Sequence, residues 1–306
     1  MSKTGSATQP QSGIAAYLQL SKSGIVTLVL ISVLGGYLIG QPFEVRFDWI
    51  RICFTLIGVL LLSSGASALN QLQEVDIDAR MPRTAGRPLP SGRITLRQAW
   101  LFVGVCIPFG LAILATIDGA LFLLGLFALF SYNALYTLWW KKRWAHAAVP
   151  GAIPGALPIL MGYVAAAGQV WNPGALWVFA LLFFWQMPHF WALALRYRDD
   201  YAEGGFPTLP VSLGTGLTVH QILLWCLAYV ALGLGAPLFL HVGLGYEIVA
   251  GLMSVVLLWE LRGFVRAPES KRWLRFFLWI NFSLIAYLGA AAADLWSIYL
   301  VRYFTR

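Results

Sequence analysis

Asn70-Gln71-Leu72-Gln73-Glu74-Val75-Asp76-Ile77-Asp78-Ala79-Arg80-Met81-Pro82-Arg83-Thr84-Ala85-Gly86-Arg87-Pro88-Leu89-Pro90 follows directly on the apolar run 52–69. Asn70, Glu74 and Asp78 stand at i, i+4 and i+8. On one continuous helix each step of four drifts only about 40°, so the three are expected on a single face over roughly 12 Å. That face offers three oxygen ligands at the end of a membrane helix. Magnesium takes oxygen donors, commonly one or two carboxylates together with substrate phosphates. Arg80, Arg83 and Arg87 come next in the chain, and the guanidinium fork matches phosphate oxygens. Carboxylates for a divalent cation beside arginines for an anion are what a magnesium–diphosphate site requires. The plainer alternative is that Glu74 and Asp78 only neutralise arginines that flank a cytoplasmic helix end. Polar groups in register at a membrane boundary favour the chemical reading.

Composition sets the class. The 306 residues are 59% hydrophobic and only 11% charged, with mean hydropathy +0.73, where a soluble domain carries about 25% charged residues. The net charge of +8 sits in loops between apolar runs, so it reports membrane topology and gives no reason to expect nucleic-acid binding. Cys53, Cys106 and Cys226 lie inside apolar runs without metal-ligand spacing, and are expected to behave as small hydrophobes.

Residues 1–16 read as a short disordered cytoplasmic tail and 17–306 as a single membrane domain. Apolar runs of spanning length recur near 24–40, 52–69, 99–117, 119–140, 147–167, 173–195, 218–240, 244–261 and 276–295. The backbone must satisfy itself within lipid, so these are helices. The expected fold is an all-α integral membrane protein of about nine transmembrane helices in one bundle around a central cavity. All but four of the 21 Lys and Arg residues fall on one side of that topology, the exceptions being Arg46, Arg51, Arg302 and Arg306. The amino terminus and both acidic stretches are therefore expected on the cytoplasmic side. The absence of arginine before Arg46 argues against a mitochondrial transit peptide and points to a bacterial plasma membrane.

A second acidic stretch ends the sixth run: Trp185-Gln-Met-Pro188-His189-Phe190, then Arg196, Asp199, Asp200, Tyr201 and Glu203 before Gly204-Gly205-Phe206-Pro207. Arg196 and Asp200 are four apart, as are Asp199 and Glu203. The segment is either a solvated helix end or a second cluster facing the first. Pro188 is expected to kink its helix. His189 beside it is read either as bonded to a freed carbonyl or as contacting a substrate, haem iron included.

The stretch Asn70-x-x-x-Glu74-x-x-x-Asp78 with Arg83-Thr84-x-x-Arg87-Pro88-Leu89-Pro90 resembles the first signature of the UbiA-type membrane prenyltransferases. Tyr136 to Arg143, Gly151 to Pro158 with Met161-Gly162, and Trp185 to Phe190 with Tyr201 to Pro207 are similar to the branch that farnesylates haem. The resemblance covers most of residues 18–215. It implies transfer of farnesyl from farnesyl diphosphate to a vinyl group of haem B, with water added, to make haem O for haem-copper oxidases. It also implies Mg2+ held by Asn70, Glu74, Asp78 and Asp200, with Asp199 beside them. Arg83, Arg87, Lys141, Lys142 and Arg143 become candidates for the diphosphate oxygens or the haem propionates, Arg196 for the diphosphate, and His189 for haem. A haem A synthase or an oxidase assembly factor is the implied protein neighbour. Two departures stand out: Glu74 occupies a place where many members carry Asp, and the second acidic stretch lacks the usual D-x-x-x-D. A relative acting on a quinone precursor or chlorophyll-type ring is the nearest alternative, and a non-catalytic haem transporter the more distant one.

Overall fold

The computed structural model describes residues 13–268 and 271–304, and among them there is no strand. Nine helices among the described residues are long and apolar enough to cross a membrane: α1 (Ser23–Gly40), α2 (Trp49–Gln73), α3 (Leu96–Ile117), α4 (Gly119–Arg143), α5 (Ala148–Ala167), α6 (Pro173–Arg196), α7 (Leu209–Leu234), α8 (Leu244–Arg266) and α9 (Arg272–Phe304). Side chains close the exposed amides at several starts: Asp48 accepts from Arg51 N, Asp118 from Ala120 N, Asn172 from Gly174 N, and Thr95 forms a capping box with Gln98.

Helix α5 sits at the centre, with 67% of its apolar window buried against 22% for the peripheral α3. It packs on α1 through Gly36 and Gly162. A Cβ at Gly36 would overlap the carbonyl of Ile159, and one at Gly162 the carbonyl of Val33. Within lipid, helices associate by such close packing and by hydrogen bonds. Trp177 Nε1 donates to Leu232 O at 2.9 Å, Tyr229 and Ser283 hydroxyls meet at 3.0 Å, and those of Ser254 and Tyr287 at 2.7 Å. These bonds tie α6 to α7, and α7 and α8 to α9.

Three sequence expectations change in detail. The seventh span starts at Leu209, with a break at Gly214 (φ 79°, ψ 173°), and stops at Leu234 ahead of a 3-10 turn, Ala236–Leu238. Hydropathy alone slides across both interruptions; Gly214 takes a backbone conformation that costs other residues, and Pro237 ends the helical ladder. Of the expected tail, residues 1–12 lie outside the described residues. A helix at Ile14–Leu20 is already docked, Ala16 and Leu20 being buried and Gln71 Nε2 donating to the carbonyls of Gln19 (3.0 Å) and Leu20 (2.8 Å). Finally, the Asn70–Asp78 face is not one helix. α2 ends at Gln73, Glu74 is non-helical (φ −117°, ψ 12°), and Val75–Asp78 forms a separate turn. Bonds from Glu74 N to Asn70 O (3.1 Å) and Asp78 N to Glu74 O (2.8 Å) still carry the chain inward.

Candidate active site

A cavity of about 500 Å³ opens among α1, α2, α4, α5, α6 and the loops following α2, α4 and α6; α3, α7, α8 and α9 contribute no lining residue among those described. Asn70, Glu74 and Asp78 all line it and are 2%, 2% and 3% exposed. The sequence motif therefore survives the helix break as a spatial cluster.

Each polar group in this cluster has a basic partner. Lys141 Nζ donates to both Glu74 oxygens at 2.8 Å. Arg87 Nη1 reaches the Asp78 oxygens at 2.7 and 2.6 Å, and Thr84 Oγ1 donates to the Asp78 carbonyl at 2.9 Å. Lys22 Nζ donates to Asn70 Oδ1 at 2.6 Å, while Asn70 Nδ2 donates to Thr137 Oγ1 at 3.2 Å. Lys22, Arg83, Arg87 and Lys141 line the same cavity against only Glu74 and Asp78 as anions. Glu74 and Asp78 compensate Lys141 and Arg87, and Asp200, outside the lining, pairs with Arg83; Lys22 meets an amide oxygen instead, and a charge so placed favours a bound anion. Lys22 shows the strain of that arrangement. It is the one described non-glycine residue with positive φ (53°), and burial first, then Arg87, lowers its pKa to about 8 against the pull of Glu74 and Asp78.

The second acidic stretch contributes unequally. Asp200 pairs with Arg83 at 3.6 Å, and the Arg83 guanidinium lies 5.4 and 5.7 Å from the Tyr197 and Tyr201 ring centroids. Tyr201 and Phe206 line the cavity, whereas Asp200 does not. Burial raises the Tyr201 pKa, with Arg83 opposing. Asp199, Arg196, Lys142 and Arg143 are exposed and line no part of the cavity. Their proximity in sequence to the motif residues does not bring them into the cavity; the Arg196 guanidinium lies instead 6.0 Å from the Trp273 ring centroid of α9. His189 also lies outside the cavity. Its ring stacks between Trp185 and Phe277, with centroids 4.6 and 5.0 Å away, in the seam between α6 and α9. Its Nδ1 is buried without a hydrogen-bond partner among the described residues.

Sequence reasoning missed Lys22, Tyr132, Tyr136, Gln186 and Phe190, which all line the cavity. Tyr132 and Tyr136 share the π-helical part of α4, Phe130–Trp140, and stack with centroids 6.2 Å apart. That wide helical register sits against α2 through Asn133 Nδ2 to Ala66 O (2.9 Å) and Gln73 Nε2 to Asn133 O (3.2 Å), and π segments of this kind often mark functional sites. The Tyr136–Arg143 and Trp185–Phe190 blocks carried a signal, and in the second Gln186 and Phe190, not His189, line the cavity.

The donor chemistry suits magnesium: one amide and two carboxylate oxygens, to be completed by phosphate oxygens and water. Among the described residues, no three His, Cys, Asp or Glu side chains stand together as a chelating group. The protein therefore does not offer a cage for a cation alone, which is the usual condition of a magnesium–phosphate site.

A helical membrane bundle enclosing a buried, cationic and carboxylate-bearing mouth with a greasy interior defines a class, the membrane enzymes that handle prenyl diphosphates. The model of the UbiA prenyltransferase family matches residues 29–285, and the chain belongs to that family. It is 42% identical to the protoheme IX farnesyltransferase of Bdellovibrio bacteriovorus, over 94% of this chain and 98% of that one. It is 40% identical to the Aquifex aeolicus protein of the same name, over 87% and 91%. A solved UbiA homolog from Archaeoglobus fulgidus bound to DMAPP and Mg2+ superposes with a TM-score of 0.65 at 17% identity, covering 90% of this chain and 99% of that one. The fold is thus that of a prenyltransferase, and the protein is a multi-pass membrane enzyme.

Proposed function

We propose that this protein transfers the farnesyl group of farnesyl diphosphate to a vinyl group of haem B, with addition of water, giving haem O and diphosphate. The observation that carries the reading is the cavity itself: four cationic side chains and two carboxylates at one end, and an apolar remainder formed by residues such as Val29, Val59, Leu62, Pro158 and Met161. The sequence likeness to protoheme IX farnesyltransferases selects haem over a quinone precursor as acceptor.

In this reading Lys22, Arg83, Arg87 and Lys141 bind the diphosphate oxygens, by charge-assisted hydrogen bonds. Asn70, Glu74 and Asp78 hold Mg2+, with Asp200 positioning Arg83 from outside the cavity. Magnesium, when bound, neutralises the charge that develops on the departing diphosphate. The substrate exchanges partners with the protein: diphosphate takes over Lys141 and Arg87, which releases Glu74 and Asp78 for the cation. The stacked faces of Tyr132 and Tyr136 stabilise the farnesyl allylic cation, and the apolar wall shields it from bulk water. His189 serves as a packing residue that holds α6 against α9. The acidic side of the bundle faces the cytoplasm of a bacterial plasma membrane.

The test is product analysis by mass spectrometry. Purified protein receives haem B, farnesyl diphosphate and Mg2+, beside an Asp78→Ala variant and a parallel quinone-precursor acceptor. The expected result is haem O from the wild type, lost in Asp78→Ala and on chelation. Prenylation of the quinone precursor alone refutes the haem assignment.

A further inference from the structure

Besides its serine, threonine and tyrosine hydroxyls, the cavity lining has two polar features that bear on the reaction. One is the cluster of cations and carboxylates described above. The other is Gln186, which stands among Pro154, Gly155, Pro158 and Phe190 and takes no part in that cluster. Its amide is fixed in one orientation. Nε2 donates to the carbonyls of Ala152 at 3.1 Å and Leu182 at 3.2 Å. A flipped amide would set Oε1 against two other oxygens, so the two carbonyls decide which end is which.

Oε1 is therefore turned away from those carbonyls. It lies over Gly155, where any Cβ would overlap it, and no donor among the described residues bonds to it. A glycine in α5 makes room for a glutamine oxygen from α6, inside an otherwise greasy wall. Pro154 and Pro158 lack the N–H that helical carbonyls four residues earlier would use, so the Pro150 and Pro154 carbonyls have no such donor either. An acceptor that lines the cavity and meets no protein donor is open to a water there, which supplies the donor.

We propose that Gln186 holds the water that ends the reaction, its Oε1 accepting a hydrogen bond and so turning the water's lone pair toward the carbocation. This rests on the haem-vinyl prenylation proposed above. The bond from farnesyl C1 to the diphosphate oxygen breaks, with its electron pair leaving on diphosphate. The vinyl π pair forms the new carbon–carbon bond from its terminal carbon, which leaves a cation on the carbon attached to the porphyrin. Water oxygen then forms the carbon–oxygen bond, and its proton passes to the released diphosphate. Without a positioned water the cation is quenched by loss of a proton from the adjacent carbon, and the product is an alkene one water lighter.

That difference provides a readout a structural role would not move. Gln186→Met keeps length and volume but removes the acceptor, and Gly155→Ala pushes the same oxygen from the opposite helix. Each is assayed with haem B, farnesyl diphosphate and Mg2+, scoring diphosphate release and the ratio of hydrated to dehydrated prenyl-haem by mass spectrometry. The hydrated fraction relative to alkene is expected to fall about tenfold in both, the consequence of losing one hydrogen bond to the water, while diphosphate release stays within about threefold. An unchanged product ratio in either variant that turns over overturns the proposal. So does a total loss of diphosphate release in a variant that still binds farnesyl diphosphate. A wild type that makes no prenylated haem sinks the function itself, an outcome separate from a changed ratio.

Discussion

Glu74 is 2% exposed and its two oxygens share one Lys141 ammonium, which is 22% exposed. Lys141→Met removes the cation and leaves a buried carboxylate without its counter-ion. Breaking a buried pair in this one-sided way costs about 3–5 kcal/mol; the partial exposure of Lys141 places this case near about 3 kcal/mol. At about 2 °C per kcal/mol for a chain of this size, the melting temperature in detergent falls by about 6 °C. The double variant Lys141→Met/Glu74→Gln replaces the ion pair by neutral groups of similar size, and is expected to melt within about 2 °C of the wild type. Activity follows a different order. Lys141 also binds diphosphate in the proposed reaction, and one charge-assisted bond contributes about 1.5–3 kcal/mol. Affinity for farnesyl diphosphate therefore drops about 10- to 100-fold in the single variant and is not restored in the double. Intrinsic tryptophan fluorescence during a thermal ramp reads the first effect, and equilibrium binding of farnesyl diphosphate reads the second. Equal melting of single variant and wild type would refute the ion-pair argument, and recovery of affinity in the double would refute the role assigned to Lys141.

Other consequences are as specific. Lys22 has a folded pKa of about 8 against an ordinary 10.5, so between those values the unfolded chain carries more protons and stability rises with pH. An anion prefers the charged form, so farnesyl diphosphate affinity is full below about pH 8 and falls by up to about tenfold per unit above it; Lys22→Met is expected to lose that dependence, and a flat wild-type profile from pH 7 to 9 contradicts it. Lys142→Gln, Arg143→Gln and Arg196→Gln, all at exposed positions, leave kcat/KM within about twofold of the wild type, and a tenfold loss in any one would return that residue to the site. Gly162→Ala sets a Cβ against the Val33 carbonyl at the α1–α5 crossing; overpacking there costs about 1–3 kcal/mol, visible as an earlier thermal transition, and an unchanged transition would mean that α1 gives way freely.

Much of this molecule is legible in one dimension because the bilayer leaves few options. A run of apolar residues long enough to cross lipid has to be a helix, so the nine spans among the described residues follow from hydropathy, with the ends of the seventh displaced. The grouping of Asn70, Glu74 and Asp78 also follows from local spacing, since bonds four residues apart hold them together even where α2 ends. What hydropathy could not show is which face of each helix end turns inward. Lys141 enters the cavity while Lys142 and Arg143 stay outside, and Gln186 and Phe190 enter while His189 packs against α9. Those choices are made by contacts between distant segments: Lys141 with Glu74, 67 residues away, and Lys22 with Asn70, 48 residues away. Neither a break at Glu74 nor a left-handed Lys22 is favoured by local preference, and each is stabilised by the partners that the assembled bundle supplies. The chain's composition determined that there would be a membrane bundle with a charged mouth; packing between helices decided which charges meet there.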